Sequence, residues 1–394
     1  MKIESVEFYY AALPEITDDV DGSQDALLVR VTADGLVGWG ECEASPVTSI
    51  AAFVTPPSHG ACQPVSASVR GERIDSPHDI LRISAAVRRN SMDLLQAAHV
   101  WSGIEMALWD LLGKARQEPV WALLGYEQSI PKTAYASLLF GDTPQATYER
   151  ARESAARGFQ ATKFGWGPFG AGTLDADRDQ LQAARDGIGD GILMVDAGQI
   201  WEGDVEAALA RLPILKDVDV AWLEEPFAAE SFSEYALLAR DSTGVPLAGG
   251  EGSHNARMAE NLITYGGVAF IQIDSGRIGG IGPSKQVADF AAGHGVQYVN
   301  HSFTSHLALS ASLQPFAGAA DMPLAEYPAA LSTLGAAIAS PPVALSDSCR
   351  VHAPDAVGLG VDVHLDALTP YLRSVELRVD GAVLYASPRS EEAE

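Results

Sequence analysis

From Tyr135 onward, short apolar runs and amphipathic stretches alternate along the chain. The runs are YASLLF, ATKFGW, ILMVDA, VAWLEE, VPLAGG, AFIQID, VQYVNH and PLAEYP. Short continuous apolar runs of this kind read as strands buried on both faces. Between them lie helix-like stretches: PQATYERARESAARG, DADRDQLQAARDGIG, GDVEAALARLP, SFSEYALLARD, NARMAENLITYGG and PSKQVADFAAGHG. Several close on Gly just past the last apolar position, the expected helix C-cap. Eight strands alternating with helices predict an α/β fold, a (β/α)8 barrel of the TIM type. A doubly wound sheet fits less well: no glycine-rich phosphate turn follows the first strand, and polar residues are spread over many strand ends.

The ends of the chain have a different pattern. IESVEFYYAAL and ALLVRVTADGLVGWGECEA alternate at period two around the Asp34–Gly35 turn, predicting antiparallel strands. ILRISAAVRRN and WSGIEMALWDLLGKARQ predict helices, so residues 1–125 form an α+β domain ahead of a barrel over 126–340. The stretch SPVTSIAAFVTPPSHGACQPVS, rich in Pro, Ser and Gly, is expected to be a long loop. Residues 341–394 return to strand and turn patterns in VELRVDGAVLYA and end in the charged tail SEEAE, expected to fray.

Candidate chemistry sits at the ends of the predicted barrel strands. Asp196, Glu224 and Glu251 each close an apolar run, at intervals of 28 and 27 residues, about one βα unit of roughly 30 residues. Any one of these acids alone reads as a helix cap or solvated loop residue. In register on successive strands, they converge at the C-terminal mouth of a barrel, where such folds build active sites. Three carboxylates suit a hard divalent cation, Mg²⁺ first. Asp274 and His301 close the next two runs. A carboxylate beside an imidazole fixes its tautomer and raises its basicity, so the pair is expected to be an acid/base dyad. Lys163 and Glu326 end further strands facing the same mouth. Arg277 is either a contact for an anionic substrate or a structural ion pair under the sixth strand, and Trp166 is a further candidate for substrate contact.

Composition narrows the partners. Lys and Arg number 26 against 52 Asp and Glu, and the formal charge of −26 disfavours nucleic acid or an anionic membrane as a partner. An anionic substrate must then be captured locally, by Mg²⁺, Lys163 and Arg277. No apolar run approaches 18 residues and the N-terminus lacks a signal-like core, so a cytoplasmic location is expected. Cys42, Cys62 and Cys349 show no metal spacing and are expected to be reduced.

WSGIEMALWDLLGKARQEPVWALLG, DAGQIW, WLEEP, GGEG, QIDSGRIGG, NHS and PDAVGLGVDV, in this order, resemble the motifs of the enolase superfamily, mandelate racemase subgroup, over residues 1 to about 385. The resemblance implies a modified barrel under a capping domain built from N- and C-terminal segments, and a homo-oligomer. It implies Mg²⁺ on Asp196, Glu224 and Glu251, with Glu225 behind them, the Asp274–His301 dyad, and Glu326 beside the substrate carboxylate or enolate. Such enzymes abstract a proton α to a carboxylate.

One position departs from the family pattern. Two-base members carry Lys-x-Lys on the second strand, whereas this chain reads Lys163-Phe164-Gly165-Trp166. Glycine cannot accept a proton, so the pattern favours one-base elimination of a β-hydroxyl by His301, a dehydratase of an acid sugar, over two-base racemisation. Lys163 then holds the substrate carboxylate. An epimerase, racemase or cycloisomerase using Lys163 as a base, and a non-catalytic binding module that kept the fold, are the alternatives. Selectivity is expected from loops near Ile16–Ser23 and Glu43–Gln63.

Overall fold

The computed structural model describes residues 1–16, 24–43, 45–242 and 244–388. Three N-terminal strands, β1 (Ile3–Ala12), β2 (Asp25–Ala33) and β3 (Leu36–Cys42), form an antiparallel sheet. The turn between β2 and β3 places Asp34 and Gly35 at φ 48° and 78°, the left-handed pair a tight hairpin requires. The helix Ala97–Arg116 lies across this sheet. A Cβ on Gly40 would come 2.0 Å from the Gly103 carbonyl oxygen, so the glycines of the GWGE run are what allow the helix this close.

The eight predicted barrel strands all form: β4 (Lys132–Leu139), β5 (Ala161–Gly165), β6 (Ile192–Asp196), β7 (Val220–Glu224), β8 (Leu247–Gly249), β9 (Phe270–Asp274), β10 (Gln297–His301) and β11 (Leu324–Tyr327). They pair in parallel in the order β10-β9-β8-β7-β6-β5-β4-β11. The remaining seam, between β10 and β11, is bridged by a side chain: Asn300 Nδ2 donates to the Glu326 carbonyl at 3.2 Å, and Asn300 Oδ1 accepts from the Glu326 N–H at 3.0 Å. Inside, Tyr135, Met194, Trp222, Ala248 and Val299 fill the barrel as a packed plug.

The segment Ser45–Ser66, expected to be a loop, is partly helical. Residues Pro46–Val54 form a helix and Val65–Ser68 a 3₁₀ turn. Pro46 starts the helix, Ile50 and Phe53 bury one face of it with Phe53 edge-on to Phe8 at 5.0 Å, and Pro56–Pro57 end it. GDVEAALARLP likewise divides, at Pro213, into helices Val205–Leu209 and Leu212–Asp217. Past the barrel, Arg350–Val351 pairs antiparallel with β4 and Leu372–Arg373 with β1, so the C-terminal segment returns to the N-terminal sheet. The SEEAE tail lies outside the described residues.

Candidate active site

Residues two apart on a strand share a face, which stacks the barrel interior in rows. Met194 and Asp196, Trp222 and Glu224, Gln272 and Asp274, and Val299 and His301 are such pairs. The register aligns Gly165 with Asp196, Asp196 with Glu224, and Asp274 with His301. The lower member of each pair belongs to the interior and the upper one reaches the mouth. Lys163 stands in the row of Met194, one row below the carboxylates, and its long stem reaches up among them. A Cβ on Gly165 would lie 2.9 Å from Asp196 Cβ and 3.0 Å from Asp196 Oδ2. Any side chain there would displace the aspartate.

Carboxylate oxygens of Asp196, Glu224 and Glu251 lie within 4.8 Å of one another. Gly198 N–H holds Asp196 Oδ1 at 2.8 Å, and Trp222 Nε1 holds Glu224 Oε2 at 2.9 Å. Burial, then the Glu224 charge, pushes the Asp196 pKa well above the ordinary aspartate range, and burial raises Glu224 against the pull of Lys163. Glu225, buried beside them and bonded by Gln199 Nε2 at 3.0 Å, is pushed up to about 8 by burial and by Glu251. Buried acids that raise one another's pKa are short of positive charge. That deficit, with the convergence of hard oxygen donors, fits a small divalent cation.

Asp274 Oδ2 and His301 Nδ1 stand 2.8 Å apart, and His301 Nε2 lies 3.0 Å from Glu251 Oε2. Gly276 N–H holds the other Asp274 oxygen at 2.6 Å. Burial alone would lower the His301 pKa, but Glu251, Glu326 and Asp274 carry it well above the histidine norm. Burial pushes Glu251 up, and His301 overrides it, holding the carboxyl well below its usual range. Lys163 Nζ contacts Glu224 at 2.6 Å, Glu326 at 3.0 Å and Asp196 at 3.7 Å. These carboxylates outweigh desolvation and keep its ammonium protonated.

Glu326 is anchored by Ser302 N–H at 2.8 Å. Trp166 is 55% exposed at the mouth, at φ 56°, with its indole over Gly198. Arg277 reaches the same pocket, but Glu43 from the segment after β3 grips it at 2.6 and 3.1 Å, and Glu251 lies 3.5 Å away. The structure thus brings Lys163, Asp196, Glu224, Glu251, Asp274, His301 and Glu326 together, with Arg277 and Trp166 at the rim. Sequence reasoning missed Asn300 as a site-building residue, and placed Glu43 only at the start of a selectivity loop without its partner Arg277. Asn300 carried a signal, lying beside His301 in a strand, whereas Glu43 acts across a separation of 234 residues.

A parallel barrel with three convergent carboxylates and an Asp–His pair at its C-terminal mouth has the architecture of an enzyme of the barrel class. The comparisons agree. Residues 16–125 match the mandelate racemase/muconate lactonizing enzyme N-terminal domain, and residues 146–367 match the enolase C-terminal domain-like model. The chain belongs to the mandelate racemase/muconate lactonizing enzyme family of the enolase superfamily. It is 29% identical over 359 residues to a D-galactarolactone cycloisomerase of Agrobacterium fabrum, covering 88% of this chain and 90% of that one. It is 30% identical to a D-galactonate dehydratase of Klebsiella pneumoniae, covering 72% of each. A crystal structure from Rhodobacter sphaeroides, described as a predicted mandelate racemase, is 58% identical and superposes with a TM-score of 0.94 over 98% of this chain and all of that one. No described helix is long and apolar enough to cross a membrane.

Proposed function

We propose that the chain is an acid-sugar dehydratase: it removes the proton α to a carboxylate and expels the β-hydroxyl, leaving a 2-keto acid. The observation that carries this reading is the pairing of one oriented imidazole, His301, with a glycine at the place where a second base would stand. Gly165 has no side chain, and the packing against Asp196 leaves no room for one. Elimination needs only the one group, as base and then as acid, whereas racemisation needs two on opposite faces.

Asp196, Glu224 and Glu251 would hold Mg²⁺. When bound, the ion would stabilise negative charge developing on the substrate carboxylate. Once Glu251 serves as a ligand, His301 keeps Asp274 as its carboxylate partner, and Nε2 faces the pocket. There it takes the α-proton and returns a proton to the departing hydroxyl. Lys163, held protonated, orients the substrate carboxylate, with Glu326 beside it.

A second reading rests on Lys163. Its Nζ lines the same pocket as His301, so a cycloisomerase, epimerase or racemase could use it as the opposing group. The test is α-proton exchange in D₂O. His301→Asn is expected to abolish exchange and dehydration together, a loss of about 10²- to 10⁴-fold or more for a general base. Lys163→Ala should mainly raise KM. Persistent exchange in His301→Asn, lost in Lys163→Ala, would make the isomerase reading the better one.

A further inference from the structure

The cavity at the barrel mouth measures about 200 Å³ and is lined by charged groups at its base and by Leu138, Leu139, Trp166 and Phe303 on its walls. If Lys163 receives the reacting carboxylate, as the dehydratase reading has it, a second carboxylate at the far end of a substrate needs a second cation. Among the described lining residues the remaining candidates are His301, the proposed base, and Arg277. Arg277 is already engaged. Its Nε and one terminal nitrogen form a two-pronged bond to Glu43, at 2.6 and 3.1 Å, and its other terminal nitrogen lies 3.5 Å from Glu251. This fork-to-carboxylate geometry is the strong form of the pair, and breaking it would strand Glu43, which is only 5% exposed. Of the expected selectivity loop Ile16–Ser23, residues 17–23 lie outside the described residues.

We infer that the substrate is a monocarboxylate with an uncharged far end, an aldonate rather than an aldarate, and that Glu43 sets this preference by occupying the guanidinium of Arg277. A distal carboxylate would enter beside Glu43, with no unengaged cation among the described lining residues to receive it, an unpaired anion that binding must overcome. The far-end hydroxyl of an aldonate carries no such penalty.

The inference rests on the dehydratase reading for its choice of carboxylate anchor, and binding separates the two. The Mg²⁺-loaded full chain is titrated calorimetrically with aldonate and aldarate pairs of matched configuration, while 2-keto product is assayed separately. The best-bound aldonate is expected to exceed its aldarate partner by about tenfold or more, one unit of log Kd. Glu43→Ala should free Arg277 and shrink that ratio, with Glu43→Gln, which keeps one acceptor, in between. Tighter aldarate binding by the wild type overturns the inference. An unchanged ratio in both folded variants overturns the role of Glu43. If Glu43→Ala does not fold, Glu43→Gln and the wild-type ratio still decide it. Absence of 2-keto product from every acid counts against the dehydratase reading alone.

Discussion

The two halves of the barrel mouth are held in place differently. On the β5–β7 side, Asp196 and Glu224 are fixed by the barrel itself: neighbouring strands in register, the Gly198 N–H and the Trp222 indole. On the β9–β10 side, the segments that follow Asp274 and His301 are gripped from the N-terminal domain. Glu43 holds Arg277, Ser102 Oγ accepts from Gly279 N–H at 2.8 Å, and Glu105 accepts from Ile281 and Gly282 N–H at 2.7 and 2.8 Å. Ser305 donates to Glu41. The Asp196–Glu224 part of the cluster is thus a property of the barrel, whereas the dyad is positioned jointly with the cap, and Glu251 stands between the two, against His301 and Arg277. Buried carboxylates in partnership with backbone N–H groups tie the two layers with more directional force than apolar packing alone.

The comparison breaks most visibly at the carboxylate cluster. Glu251→Gln or Asp196→Asn should lower activity by about 10³-fold or more, since a catalytic cation supplies several kcal/mol of charge stabilisation. Mg²⁺ titration should weaken in parallel while circular dichroism stays unchanged. Wild-type turnover that survives exhaustive chelation would show the cluster is no metal site.

Removing the latch tests the other half. Glu105→Ala strands the N–H groups of Ile281 and Gly282 and the Trp109 indole, which donates to Glu105 at 2.8 Å. Stranded buried donors cost about 1–3 kcal/mol each, so with three of them a stability loss of about 3–9 kcal/mol is expected in urea unfolding. At temperatures where the variant is folded, kcat should fall while Mg²⁺ affinity holds. An equal loss of Mg²⁺ affinity would mean the two halves are not independent.

Glu41 offers the finest probe. Burial pushes its pKa from 4.5 up to about 7, against the Ser305 hydrogen bond that lowers it. Its Oε1 has no hydrogen-bond partner. The folded chain keeps this proton to higher pH than the unfolded chain, so the associated stability is complete below about pH 4.5 and is lost as pH rises through 7. At about 1.4 kcal/mol per pKa unit, the loss reaches up to about 3 kcal/mol. Glu41→Gln, which keeps an acceptor for Ser305, should lack this slope. Parallel stability profiles for wild type and Glu41→Gln between pH 4.5 and 8 would contradict it.

Much of this was legible along the chain because a barrel writes itself locally. The strands are short apolar runs, several helices close near a glycine, and Asp196, Glu224, Asp274 and His301 each end their own strand. Asp196, Glu224, Glu251, Asp274 and His301 could therefore be placed at the mouth from spacing, and Lys163 and Glu326 with them. Where the signal was weak, local composition misled: the Pro- and Ser-rich segment after β3 forms a helix because Ile50 and Phe53 find a partner surface that no window of sequence displays.

The sequence by itself determined the strand count, the identity of the mouth residues and the absence of a base at position 165. Only the tertiary structure decided how those residues share charge. It placed Lys163 one row below the carboxylates, showed that Gly165 is required by the packing of Asp196, sealed the β10–β11 seam with Asn300, and closed Glu43 on Arg277. These last relations join residues far apart in the chain. Pairing across such distances depends on side-chain reach, burial and the local dielectric, which exist only once the layers have packed.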